Sequence, residues 1–191
     1  MHHPAIFLDR DNTLIANAGY LGDPAGVVLL PGTAAAVAGL RALGFRIVVV
    51  SNQAGVARGL YDEAAVHAVN HEMCRQLLAG HPGARIDGSY FCPFHPDGVV
   101  EKYRAAHPWR KPGPGMLLQA AADLSLDLAG SWMIGDQYRD VGAGSAAGCR
   151  TILLQNPDLP PANEPADPNA AAPDFKVRLL ADCIEIIRSR R

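Results

Sequence analysis

The stretch Ala5-Ile6-Phe7-Leu8-Asp9-Arg10-Asp11-Asn12-Thr13-Leu14 opens on four apolar residues and breaks into two carboxylates two positions apart. Such a run reads as a buried strand, and period-two geometry sets Asp9 and Asp11 on one side of the chain as it leaves a sheet. An aspartate can attack phosphorus and become an aspartyl-phosphate if a hard cation offsets the charge clash and a second group handles the leaving-group proton. Asp9 suits the attack and Asp11 the proton transfer. A bare D-x-D is more often an acidic turn with no chemistry, so its weight comes from the rest of the chain.

Outward from this strand, short apolar runs alternate with helical patterns, which predicts an α/β fold with a doubly wound parallel sheet and helices on both faces. Strands are expected at 5–8, 45–50, 89–92, 132–134 and 151–154, with a last strand and helix within 175–187. Helices are expected at 33–43, stopped by Gly44, and from an Asp62 cap to about residue 79, with Val66, Val69, Met73, Leu77 and Leu78 inward. Two more follow at 114–124, with Pro114 in the first turn, and at 140–147, closed by Gly148. The segment 156–173, rich in Pro, Ala and Asn, reads as an irregular wrap. This pattern puts Asp9, Ser51 and Asp136 just past the carboxyl ends of three strands, the edge where open parallel sheets bind ligands.

The D-x-D-x-T pattern at Asp9–Thr13 resembles the first motif of the haloacid-dehalogenase-like (HAD) phosphatases, and later motifs of that family follow in order at Ser51, Lys111 and Asp136. The stretches Phe7–Asp11, Ser51–Gly59 and Arg110–Met116 are similar to the subgroup that includes heptose-bisphosphate and histidinol-phosphate phosphatases. The resemblance spans roughly residues 4 to 155 and implies a HAD-like Rossmannoid fold. One domain, 1–191, is expected, because neither inter-motif segment has room for the cap domain many relatives carry. Closure then falls to the loops 17–21, 53–59 and 93–109.

The resemblance implies a phosphomonoesterase that uses Asp9 as nucleophile and Asp11 as acid/base. Ser51 would donate to a phosphate oxygen, and Lys111 would supply positive charge and restrain Asp9. Mg²⁺ is the expected cofactor, held by the Asp9 carboxylate, the Asp11 backbone carbonyl and Asp136, since magnesium keeps several waters and needs few protein ligands. Asp140 could orient Lys111 or cap the following helix. Substrate contacts are implied for Asn17, Ala18, Gly19, Tyr20, Asn52, Gln53, Ala54, Gly55 and Arg110; an arginine fork suits a second phosphate or a carboxylate. The implied reaction removes the 7-phosphate of heptose 1,7-bisphosphate. Histidinol phosphate is the alternative, with a polynucleotide 3'-phosphatase or a phosphate-binding signalling module behind it. Receiver domains share an aspartate, a lysine and a magnesium site but do not resemble D-x-D-x-T.

One departure from the family is sharp. Relatives commonly hold the loop before Arg110 with a zinc bound by C-x-H and C-x-C, a ligand set suited to tetrahedral coordination. Here Cys92 is followed by Phe94, His107 and Trp109 at the other three places, and His95 stands one residue off register. A rebuilt Cys92, His95, His107 site is the alternative; the expected arrangement is free of structural zinc, with Phe94 and Trp109 packed against each other.

Composition agrees with a small-molecule enzyme. The 191 residues, 49% hydrophobic, suffice for one buried core, and a net charge of −2 without like-charge runs offers no footprint for nucleic acid or a membrane surface. Cys74, Cys92, Cys149 and Cys183 lack paired spacing, and no leader pattern precedes the first strand. A sugar phosphate partner, a reduced cytoplasmic location and a monomer are expected.

Overall fold

The computed structural model describes residues 2–17, 19–163 and 170–190. Its centre is a parallel six-stranded sheet built from β1 (His3–Leu8), β2 (Arg46–Asn52), β3 (Gly88–Cys92), β4 (Leu126–Gly135), β5 (Arg150–Leu154) and β6 (Phe175–Val177), in the order β3-β2-β1-β4-β5-β6. Helices α1 (Thr33–Ala42), α2 (Ala54–Ala57), α3 (Glu63–Gly80), α4 (Gly115–Leu124), α5 (Tyr138–Ala146) and α6 (Cys183–Arg188) complete the fold. The alternating pleat of β1 sorts its side chains: Ile6 and Leu8 join the core beneath α1, α3 and α6, while Ala5 and Phe7 join the core beneath α4 and α5. Strand order reverses at β1, between β2 and β4, and the carboxyl ends of these three strands carry Asp9, Ser51 and Asp136.

The expected α/β fold without a cap domain is what the chain adopts, with local differences. The fourth strand starts at Leu126, not Trp132, because His3 and Pro4 offer it partners before a register shift at Pro4/Ile6. Leu78, expected inward on α3, is 44% exposed; the buried stripe instead includes Asn70 beside Val66, Val69, Met73 and Leu77. The short helix α2 has too few residues to show a period, and sequence reading leaves it in a loop. Part of the expected wrap, residues 164–169, lies outside the described residues. Among the described residues, no helix is long and apolar enough to cross a membrane.

Two local devices aim the site. Asn12 takes a left-handed conformation, φ 59°, directly after Asp11; Asn tolerates that region because its short side chain bonds locally, and here its Oδ1 accepts the Asn17 amide at 3.0 Å. Helix α5 sits close on β4 and β5 because Gly144 has no side chain: a Cβ there would lie 2.5 Å from Met133 Cβ and 2.8 Å from Thr151 Cγ2. Gly144→Ala should therefore lift α5 from the sheet and cost about 1–3 kcal/mol in urea unfolding; an unchanged midpoint would contradict this close packing.

Candidate active site

The three strand ends converge on one cavity of about 380 Å³, lined by Asp9, Asp11, Lys111 and Asp136 among others. At its floor Lys111 is buried, and its ammonium meets Asp9 Oδ1 at 2.8 Å, Asp140 Oδ1 at 2.6 Å and the Val50 carbonyl at 2.8 Å. Two of its three N–H donors make hydrogen bonds, to Asp9 Oδ1 and the Val50 carbonyl, while Asp140 is held as an ion pair. Asp9 Oδ1 also accepts the Arg10 amide at 2.8 Å, so this oxygen is held twice, while no donor among the described residues is aimed at Oδ2. Asp140 carries out both tasks left open for it: Oδ1 pairs with Lys111, and Oδ2 accepts the Gln137 amide at 3.0 Å in the capping box of α5.

Asp11 is clamped from two sides. Its Oδ1 accepts from Arg10 Nε at 3.3 Å, Arg10 Nη2 at 3.1 Å and Asn17 Nδ2 at 2.7 Å; its Oδ2 accepts from Gln53 Nε2 at 2.9 Å. Arg10 is wholly buried and reaches Asn70 Oδ1 on α3 at 3.0 Å. Sequence reading passes over this arginine because it stands between the two aspartates. Asn70, a polar residue within the inward stripe of α3, was a readable signal of its presence.

The residues named for substrate contact divide. Gly19, Tyr20, Ala54 and Arg110 line the cavity with Asn17, Asn52 and Gln53, but these last three amides already have internal partners. Asn17 holds Asp11, and Gln53 holds Asp11 while reaching Ser51 Oγ at 3.3 Å. Asn52 makes a reciprocal pair with the Lys111 backbone, both bonds 3.0 Å. Gly55 is buried against the Tyr61 ring, not at the cavity wall, and Ala18 lies outside the described residues. Ser51 is fully buried below the wall, its Oγ accepting from Gln53. Tyr61, Gln137 and Arg139 join the lining without any pattern in the sequence that marks them.

The donor set fits a hard divalent cation. Oxygens of Asp9, Asp136 and Asp140 lie within 4.8 Å of one another, and three carboxylates facing the one Lys111 ammonium leave a local excess of negative charge. Burial, then Asp9 and Asp140, push the Asp136 carboxyl up to about 7, and burial raises Asp9 against the pull of Lys111. Burial opposes the charge of Lys111, but Asp140 and Asp9 outweigh it and raise its pKa. Since Asp140 is spent on Lys111 and the α5 cap, Asp9 and Asp136 are the pair open to a metal, with Gln137 Nε2 steadying Asp136 Oδ2 at 2.8 Å.

The loop before Arg110 is organised by a row of rings. The sequence predicts Phe94 packed directly on Trp109, but the ring contacts of each run instead to His107. His107 lies between them, stacked on Phe94 at 4.3 Å and edge-on to Trp109 at 6.0 Å, and Tyr103 and Tyr90 extend the row. Both imidazoles of this loop are engaged locally: His95 Nδ1 accepts the Asp97 amide and His107 Nδ1 the Trp109 amide. Burial raises the Cys92 thiol above its ordinary range.

A strand-end aspartate with one free oxygen, a second carboxylate two residues on and a buried lysine define a phosphoryl-transfer site, the class of the phosphoric monoester hydrolases. Residues 108–183 match the HAD-hydrolase-like family model. The chain is 38% identical to the D-glycero-beta-D-manno-heptose-1,7-bisphosphate 7-phosphatase of Yersinia pestis, covering 98% of this chain and 96% of that protein. It is 40% identical to the corresponding phosphatase of Thermosynechococcus vestitus, covering 98% and 96%. Among solved structures, the D,D-heptose 1,7-bisphosphate phosphatase from B. bronchiseptica, complexed with magnesium and phosphate, superposes with a TM-score of 0.79 at 30% identity, covering 98% of this chain and 99% of that one. The chain belongs to the HAD-like phosphatases, in the group of the heptose-1,7-bisphosphate 7-phosphatases.

Binding of Mg²⁺ to the folded protein should raise the thermal midpoint, by the equivalent of about 2.7 kcal/mol at a hundredfold excess over Kd, and chelation should reverse the rise. Thermal melts of Asp136→Ala should lack most of that shift; an undiminished shift would place the cation elsewhere.

Proposed function

We propose that this protein is a magnesium-dependent phosphomonoesterase that removes the 7-phosphate of D-glycero-D-manno-heptose 1,7-bisphosphate. The observation that carries the reading is Asp9, with one oxygen fixed by Lys111 and Arg10 and the other left to the cavity. Asp9 Oδ2 attacks phosphorus as the bond to the sugar oxygen breaks, and Asp11 gives its proton to the departing alkoxide. Asp11, now a carboxylate, takes a proton from water as that water attacks the aspartyl-phosphate; the Asp9–phosphorus bond breaks and phosphate leaves. Ser51, whose hydroxyl proton remains free for donation, and Lys111 neutralise charge on the transferring group. When bound at Asp9, the Asp11 carbonyl and Asp136, Mg²⁺ supplies further neutralisation of phosphate and nucleophile.

The choice of a bisphosphate rests on the relatives' substrate and on the cavity mouth. Arg110 is half-buried, and burial together with nearby Arg139 and Arg58 lowers its pKa. Among the described residues, none of the three forms an ion pair with a carboxylate. Arg110 and Arg139 on the cavity wall, without a carboxylate partner among the described residues, and Arg58 nearby over the Tyr20 ring suit the phosphate that is not transferred. Histidinol phosphate offers one phosphate and an ammonium that this mouth would repel. The reading includes a monomer, a cytoplasmic location, which the four free cysteines support, and a 93–109 loop held by its aromatic row instead of zinc.

Phosphate release with Mg²⁺ from both anomers of heptose 1,7-bisphosphate, histidinol phosphate, fructose 1,6-bisphosphate and a 3'-phosphorylated oligonucleotide tests the assignment. A heptose bisphosphate should be preferred and Asp9→Asn inactive; preference for another member would reassign the substrate, and activity surviving in Asp9→Asn would overturn the mechanism. Arg110→Ala should lower kcat/KM for the bisphosphate roughly 10- to 100-fold, the loss of a charge-assisted contact, with a smaller loss on a sugar monophosphate. Equal losses on both would remove the second-phosphate role.

A further inference from the structure

Asp11 presents its two oxygens unequally. Oδ1 accepts three hydrogen bonds, two from Arg10 and one from Asn17, whereas Oδ2 accepts one, from Gln53. A carboxyl proton belongs on the less occupied oxygen, so Oδ2 is the oxygen that exchanges a proton with substrate and water, and the Gln53 amide fixes where it points.

Gln53 is itself held. It is 2% exposed, its backbone amide donates to the Cys92 carbonyl at 2.8 Å, and its Oε1 accepts the Tyr61 hydroxyl at 3.0 Å. An amide can turn end for end, and the turned form would set Oε1 against the Asp11 carboxylate. The Tyr61 hydroxyl selects the orientation that aims the NH₂ group at Oδ2. Tyr61 reaches this position because two glycines make room: a Cβ on Gly22 or Gly55 would fall inside the van der Waals envelope of its ring. Burial pushes the phenol up to about 12, so it stays a donor through the working pH range.

We propose that Tyr61 and Gln53 are positioning residues, a hydroxyl-to-amide relay that holds Asp11 Oδ2 in line for proton transfer to the leaving oxygen. The proposal rests on Asp11 being the acid/base. It separates this pair from substrate binding, the role that the family resemblance implies for Gln53.

Leaving-group dependence provides the test. A sugar alkoxide needs a proton as it departs, while p-nitrophenolate is a weak base that needs little help, and kcat/KM reports the step in which Asp9 displaces it. Tyr61→Phe keeps the ring packing and removes only the hydroxyl; Gln53→Met removes the amide. For each, the loss of kcat/KM on heptose bisphosphate should exceed the loss on p-nitrophenyl phosphate by roughly fivefold or more, a fraction of the 100- to 10,000-fold that general acid–base catalysis is worth. Asp11→Asn, measured in parallel, should show the same selectivity more strongly. Equal losses on the two esters, or none, in both variants while Asp11→Asn stays selective would overturn the relay and leave the acid assignment standing. Selectivity in Gln53→Met alone would remove Tyr61 from it. An unselective Asp11→Asn would overturn the acid assignment and the relay together.

Discussion

The structure depends on one electrostatic constraint: three carboxylates, Asp9, Asp136 and Asp140, are buried at the carboxyl edge of the sheet with a single ammonium among them. Burial of like charges is unfavourable unless each is paired or bonded, and removing one partner of such a group commonly costs about 3–5 kcal/mol. Lys111 meets the constraint by joining the ends of β1 and β2 to the first turn of α5 through two hydrogen bonds and an ion pair with Asp140. The same bonds immobilise Asp9 with its second oxygen open. Stability and reactivity therefore share one set of contacts.

Around this cluster, side-chain amides act as scaffolding. Asn52 binds the Lys111 backbone at both of its ends, Asn17 and Gln53 bind opposite oxygens of Asp11, and Gln137 steadies Asp136. Rigid placement of this kind suits phosphoryl transfer, where positioning and charge neutralisation carry most of the catalysis. The cavity mouth is left to Tyr20, Arg110 and Arg139, which are not locked into carboxylate pairs and can answer to the substrate.

How much was legible follows from the range of each signal. Strand β1, the turn after it and the order of the motifs are written in local pattern, because a buried parallel strand must be apolar and its ends must carry the polar chemistry. Asp140 was visible as a G-D-x-x-x-D spacing, yet its double duty was not, because the Lys111 contact spans 29 residues of sequence, by their numbers. Tyr61 gave no signal at all: its meaning comes from distant Gly22 and from Gly55 and Gln53 nearby in sequence, whose spacing follows no pattern that marks them. For the amides, the family resemblance implied recognition, while hydrogen-bond geometry ties them to the protein's own functional groups. The zinc departure was readable as missing ligands, but the place of His107 within the aromatic row required coordinates.

The central claim is that Asp9, held by Lys111, carries the phosphoryl group during turnover. Rapid acid quench of the Asp11→Asn enzyme mixed with Mg²⁺ and p-nitrophenyl phosphate, whose leaving group needs little protonation, followed by peptide mass spectrometry, addresses it directly, since the account has that substitution slow hydrolysis of the intermediate more than its formation from this ester. The account predicts a phosphoryl group on Asp9 and on no other residue. A phosphorylated residue elsewhere, or phosphate release with no covalent adduct at any quench time, would contradict it.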